Sequence, residues 1–372
     1  IPELENSLFA FQASFARNAR DKLYIQEMNM NKSAPKRSCN DHTLVYPFKC
    51  YKDESAQSYN TSQGKASKEM EDERLKNIDP DTIKLIKNNI MHPSETTSWA
   101  TTWDDNVVFA GLEDIKKIIM SDVLPMLWSY LRYQPANILL FGPPGTEKFL
   151  IGKYIASQSK STFFSISASF LIKWIGDSEK LVQALFAVAR VYQPSIIFID
   201  EIDWLLTQTD GCSSRVMSEF MEQMDDIARS EDDHILIVGA TSRPQDLDMA
   251  VTRRYFKRLY VSLPDLGARK QIIIILLKSL KHTLNEEDIT TIAEKTVGYS
   301  GSDMESLYLK AADAATKHIG QLKNIKEEQS HLTNRDFEVA LKNTRPSVSQ
   351  SDLNVYMKWS CIYAMKSLLD RI

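Results

Sequence analysis

The chain has 372 residues, 43% of them hydrophobic and 25% charged, with a formal net charge of -4. That length supports two or three compact units with real cores, and the charge gives no global pull towards nucleic acid or an anionic membrane. No apolar run approaches the roughly 18 to 20 residues of a bilayer-spanning helix, so neither direct nucleic-acid binding nor membrane insertion is expected.

The chain opens on Ile1 rather than Met and shows no secretory apolar core, so its natural start is expected upstream. Residues 1–75 are rich in Ser, Asn, Lys and Gln with only short apolar clusters. The segment 52-KDESAQSYNTSQGKASKEMEDE-73 has no strong period, and the whole stretch predicts a mostly disordered linker. Cys39-x-x-His42 with Cys50 lacks a convincing fourth zinc ligand, and the cysteines form no C-x-x-C pair, so free thiols in a reducing compartment are expected. Next, 79-DPDTIKLIKNNIM-91 predicts a helix within a linker at 76–97, with Asp79 as N-cap and Pro80 at the first helical position.

From residue 98 the texture changes. Short apolar runs alternate with helical patterns: 137-NILLFG-142, 162-TFFSIS-167, 195-SIIFID-200, 235-ILIVGAT-241 and 258-RLYVSLP-264 read as strands. Between them, 148–158, 178–192 and 213–224 read as helices. This rhythm predicts an α/β unit over 98–264: a parallel sheet with helices on both faces. Beyond Pro264 the patterns at 265–280, 287–296, 301–320, 334–344 and 351–369 are helical, so a small all-helical unit with a C-terminal helix is expected over 265–372.

Two stretches carry chemistry. The first strand runs into 142-GPPGTEKF-149 and a helix leaves it, the context in which backbone N–H groups cradle phosphates at a helix N-terminus. Gly142, Pro143, Pro144, Gly145, Thr146, Glu147, Lys148, Phe149 and Leu150 would line that cradle, with Lys148 on the terminal phosphates. A plain Gly-Pro turn is the alternative for this stretch alone. The second, 196-IIFIDEID-203, ends a buried strand on adjacent carboxylates. Asp200 is placed to hold magnesium through its waters and Glu201 to polarise an attacking water. ATP or ADP with Mg2+ are the cofactors this pair of motifs predicts.

Together with 73-ERLKNIDPDTIKLIKNNIM-91, 151-IGKYIASQSKSTFFSISAS-169, 239-GATSRPQ-245, 257-KRLYVSLP-264 and 344-TRPSVSQSDL-353, these motifs make the chain resemble AAA-type ATPases of the microtubule-severing and fidgetin-like branch. The resemblance covers residues 73–372 and implies a P-loop NTPase fold in a hexameric ring. It also implies roles. Lys173 and Trp174 match the first pore loop that grips a threaded polypeptide. Arg253 and Arg254 match arginines that reach a neighbour's nucleotide. Ser242 matches the first sensor, while Ala110, Gly301 and Ser302 match nucleotide contacts. The family's clients are proteins, either tubulin tails or a recombinase filament, and the family's location suggests the nucleus first and the cytoplasm second.

The chain departs from the family pattern near the nucleotide. Phe149 stands where the family has the Thr that ligates magnesium, Glu147 stands for a Gly, and Ser242 for an Asn. A carboxylate about 5 Å from a phosphate charge, at an effective dielectric near 20, implies a repulsion of about 3 kcal/mol. These changes favour ATP binding with weakened hydrolysis coupled to remodelling of a protein partner. The alternative is a catalytically impaired pseudo-ATPase acting as a ring subunit or scaffold.

Overall fold

The computed structural model describes residues 75–91 except 77, then 112–128, and then 137–369 with breaks at 174–177, 208–210, 231, 279 and 322–330. The expected linker over 1–75 therefore lies outside the described residues apart from Leu75.

The described chain begins with α1 (Pro80–Lys87), capped by Asp79, whose carboxylate accepts from the Thr82 N–H at 3.0 Å. This helix does not continue to Met91 as its sequence suggests. It stops at Lys87, and Ile90–Met91 form β1, paired antiparallel with Phe163 and Phe164. Apolar residues at 83, 86 and 90 fit a helical spacing, but Ile86 is fully buried against the sheet's helices and an open strand edge captures the next two residues.

A second unexpected element precedes the sheet. α2 (Glu113–Ile118) passes through a π-helical turn, Ile119–Val123, into α3 (Leu124–Trp128). Pro125 lies in this run, and the widened turn ahead of it absorbs the missing N–H and the ring.

The sheet then builds from β2 (Ile138–Phe141), β3 (Thr162–Ser167), β4 (Ser195–Asp200), β5 (Ile235–Thr241) and β6 (Lys257–Tyr260). Its order is β1-β3-β4-β5-β2-β6, parallel throughout except for the β1 edge. The crossovers are α4 (Lys148–Ser159), α5 (Ala168–Lys173) with α6 (Ser178–Val191), and α7 (Trp204–Thr207) with α8 (Gly211–Arg229). A short helix α9 (Met249–Arg254) precedes β6.

Strand periodicity divides the core into two layers. Leu139, Phe141, Ile197, Ile199 and Ile237 face α6 and α8 on one side. Ile138, Leu140, Phe198, Leu236 and Val238 face α2, α3 and α4 on the other. Both faces are covered, which is why the strands read as unbroken apolar runs rather than alternating ones.

The helical unit packs α10 (Leu266–Leu277), α11 (Glu286–Lys295), α12 (Gly301–Gln321) and α13 (Asn334–Lys342) around Ile273, Leu307, Phe337 and Ala340. α14 (Gln350–Leu369) leaves that bundle and returns to the sheet: the Trp359 ring sits 4.4 Å from Phe141, and Tyr356 stacks 6.3 Å from Tyr260.

Candidate functional site

In-register pairing of Phe141 with Thr241 and of Ile199 with Gly239 sets the C-terminal ends of β2, β5 and β4 side by side. The segments 142–149, 200–203 and 241–243 therefore converge on one edge, the crevice where open α/β sheets bind ligands.

At this edge the phosphate loop is packed too tightly for side chains at its glycines. A Cβ on Gly142 would lie 2.2 Å from the Val261 carbonyl oxygen. Gly145 has φ +74°, and a Cβ there would meet the Ser300 and Ser302 hydroxyls at 2.7 and 3.0 Å. The Ser302 N–H also donates to the Gly145 carbonyl at 3.2 Å, so the N-terminus of α12 rests directly on the loop. Gly301 and Ser302 thus stand beside the cradle.

Lys148 opens α4 and is buried. Its Nζ donates to the Gly142 carbonyl at 3.0 Å and the Pro143 carbonyl at 2.8 Å, with the Thr146 hydroxyl at 3.4 Å. Burial lowers its pKa to about 8, against the opposing pull of Asp200, Asp203 and Glu147. That coupling places the two acidic residues of the β4 exit within electrostatic reach of the loop. Thr146 in turn donates its hydroxyl to the Pro143 carbonyl at 2.9 Å.

The two altered loop residues are turned away from each other. Glu147 holds φ +56°, a left-handed backbone that a non-glycine residue adopts at a cost of about 1 kcal/mol. Its carboxylate points to Ser302, with Oε1 3.4 Å from the hydroxyl. Desolvation raises its pKa, Ser302 and Lys148 oppose the rise, and Glu305 adds to it. The repulsion expected from an acid aimed at the phosphates is thereby reduced. The left-handed turn directs Glu147 towards the N-terminus of α12, where the helix dipole favours negative charge.

Phe149 is half-buried and turned into the core. Its ring lies 5.8 Å from Phe163 and 5.5 Å from Phe198, and the Lys153 ammonium sits 4.7 Å from its centroid.

At the end of β4, Asp200 accepts the Glu201 N–H at 2.9 Å. Glu201 is exposed and holds φ +52°. A group that sequence reasoning passed over lies next to this pair. Asp203 is buried and accepts from the Thr241 hydroxyl at 2.7 Å and from Arg243 Nε and Nη2 at 3.0 Å each. The signal was present in 200-DEID-203, an acid spaced to return under the β4 exit. Ser242 sits between Thr241 and Arg243, and its carbonyl accepts from the Tyr356 hydroxyl at 2.6 Å. The C-terminal helix therefore holds the 241–243 segment by its backbone.

The arginine pair divides. Arg254 grips Asp225 through Nε and Nη2 at 2.8 and 2.7 Å and donates to the Ala250 carbonyl at 2.9 Å. Arg253 is exposed and, among the described residues, carries no hydrogen bond or ion pair. Of the two, Arg253 has the guanidinium left unpaired among the described residues, while that of Arg254 is held within the chain. Lys173 ends α5 without a described side chain, while Trp174 and Ala110 lie outside the described residues.

The chemistry of this donor set fits a nucleotide's phosphates. The cradle is backbone N–H at a helix N-terminus plus Lys148, neither of which depends on the altered side chains. The set does not fit magnesium. Mg2+ requires near-octahedral oxygen ligation, yet Phe149 has no oxygen, the Thr146 hydroxyl donates within the loop, Asp203 is engaged by Thr241 and Arg243, and only the Asp200–Glu201 pair is left to offer carboxylates.

Comparison with known proteins agrees with this architecture. Residues 138–263 match the family model "ATPase family associated with various cellular activities (AAA)", and residues 310–361 match "Vps4 C terminal oligomerisation domain". The chain is 47% identical to human fidgetin-like protein 1 over 309 residues, covering 78% of this chain and 44% of that protein. It is 43% identical to spastin of Dictyostelium discoideum, covering 77% of this chain and 44% of that one. The chain thus spans less than half the length of these curated relatives. Among solved structures, the FIGL-1 AAA domain in complex with ADP superposes with a TM-score of 0.70 at 41% identity, covering 78% of this chain and 98% of that one. A second crystal structure of the FIGL-1 AAA domain gives the same TM-score and identity, covering 78% of this chain and 97% of that one. A katanin structure solved for its self-assembly gives 0.63 at 34% identity, covering 76% of this chain and 96% of that one.

Proposed function

The chain belongs to the AAA ATPase family, in its fidgetin-like branch, and from that premise we propose that it is a nucleotide-binding ring subunit that remodels a protein partner and hydrolyses ATP only weakly. Binding of ATP or ADP is supported by the preserved cradle around Lys148 and by the ADP complex of the similar FIGL-1 domain. The observation that carries the weak turnover is Phe149, whose ring is fixed among Phe163, Phe198 and Lys153 at the position that would supply a metal-binding hydroxyl.

Ring assembly, as a hexamer of copies or of mixed subunits, is supported by the oligomerisation-domain match over 310–361. One observation favours a second reading, a non-catalytic subunit in a mixed ring. Side chains at the chain's own phosphate loop are altered, whereas Arg253 stands exposed and, among the described residues, unengaged, available to a neighbour. The client is a protein chain, a tubulin tail or a recombinase filament, and for this the support is family membership alone.

The test is ATP turnover by the purified chain beside its Glu147→Gly/Phe149→Thr variant. Near-background phosphate release from the first and a clear rise in the second are expected; equal, brisk release from both would contradict weak hydrolysis. For the mixed ring, adding the chain to an active relative should alter that relative's turnover, and Arg253→Ala should abolish the effect. No alteration on mixing counts against the second reading.

A further inference from the structure

We infer that this cradle binds its nucleotide with no contribution from magnesium, so that nucleotide is held equally well with and without the metal; the inference rests on the nucleotide-binding reading above. Two sets of groups are separable in the structure. Those that meet phosphate directly are the backbone of 142–148 and the Lys148 ammonium, held in place by the close approach of Gly142 to Val261 and of Gly145 to the start of α12. None of these is altered by the substitutions.

The groups that would meet a metal are different in kind. Phe149 occupies the first turn of α4, and nothing in its ring coordinates a cation. Nor is there slack for another side chain to take over. α4 lies so close to the strands beneath it that a Cβ on Gly152 would stand 2.5 Å from Phe198 Cδ2, and Phe149 packs on that same ring. The helix therefore does not roll to bring a different residue to the loop. The loop's own hydroxyl, Thr146, is buried and donates back to the Pro143 carbonyl while standing 3.4 Å from Lys148 Nζ. Asp200 has Oδ1 engaged by the Glu201 N–H. The Asp200–Glu201 carboxylates acting through water leave most of the octahedral shell to solvent and phosphate, as it already is in bulk water. Magnesium bound to the nucleotide gains little from this protein, and the affinity for nucleotide becomes indifferent to it.

The experiment is a titration of the full chain with ADP and with ATP by calorimetry, once in excess magnesium and once in excess EDTA, and repeated on Phe149→Thr. For the unmodified chain the two dissociation constants should agree within about twofold, whereas Phe149→Thr should bind about tenfold tighter with magnesium than without. A tenfold or larger tightening by magnesium in the unmodified chain overturns the inference while leaving nucleotide binding intact. Absence of binding in both conditions overturns both together. The unmodified chain gives the decisive comparison even if the variant folds poorly.

Discussion

Replacing Phe149 by Thr restores an oxygen at the phosphate loop and should destabilise the fold. The ring is half-buried, and full burial of such a side chain is worth about 1.5–3 kcal/mol, so about 1 kcal/mol is at stake in area alone. The contacts at 5.8 and 5.5 Å with Phe163 and Phe198, and the Lys153 ammonium 4.7 Å away, together add about 1 kcal/mol beyond area. Threonine recovers little of either. The expected loss is about 2 kcal/mol, a fall of about 4–8 °C in melting temperature for a unit of this size. Thermal unfolding of the nucleotide-free chain and variant, followed by circular dichroism, reads it. An unchanged or raised melting temperature would mean that Phe149 is not held in the aromatic cluster, and the packing that fixes α4 against the strands would fail with it.

Three further outcomes are expected. The Tyr255 hydroxyl is fully buried and, among the described residues, has no hydrogen-bond partner, so Tyr255→Phe should raise stability by about 1–3 kcal/mol; an unshifted urea midpoint would show that the hydroxyl is satisfied. With its pKa lowered to about 8, Lys148 becomes neutral in the free protein above that pH, while bound phosphate favours the ammonium. Nucleotide binding then takes up a proton, and affinity should fall roughly tenfold per pH unit above 8. Lys148→Arg should flatten that profile, and a flat profile in the unmodified chain would refute the assignment. Arg254→Ala should cost about 1 kcal/mol through loss of the two-point pair with Asp225, while Arg253→Ala should leave the melting temperature unchanged; equal costs would place both guanidiniums in the same role.

How much of this was legible in the sequence follows from the range of the interactions. β2, β3, β4 and β5 were readable because they are buried on both faces and announce themselves as apolar runs, whereas the edge strand β6 buries only Leu259 and was legible mainly from Leu259–Val261 after the α9 pattern. β1 was not, because two residues at a sheet edge carry no period of their own and Ile90 continues the spacing of α1. The helices over 113–128 were hidden by Pro125, whose cost is met by a π-helical turn that no local pattern reveals. In the site, Lys148, Asp200 and Glu201 were readable from spacing relative to strands. The direction of Glu147 was not, since it is set by Ser302, 155 residues away. The same holds for Arg254, whose partner Asp225 lies 29 residues earlier on α8, and for the Tyr356 contact to the Ser242 carbonyl from the far end of the chain. Residue type and spacing report local geometry, while partners chosen across elements appear only in the folded chain.

The account stands on a phosphate cradle that has kept its backbone and lost a side-chain oxygen for a metal. Diffraction from crystals of the unmodified chain grown with ADP and manganese, recorded at the manganese edge, observes both at once. Nucleotide phosphates at the start of α4, with the Phe149 ring still against Phe198 and any manganese peak lying on phosphate and solvent oxygens with no protein ligand, are the predicted result. A well-occupied manganese peak bridging the phosphates and the Asp200 carboxylate would contradict it.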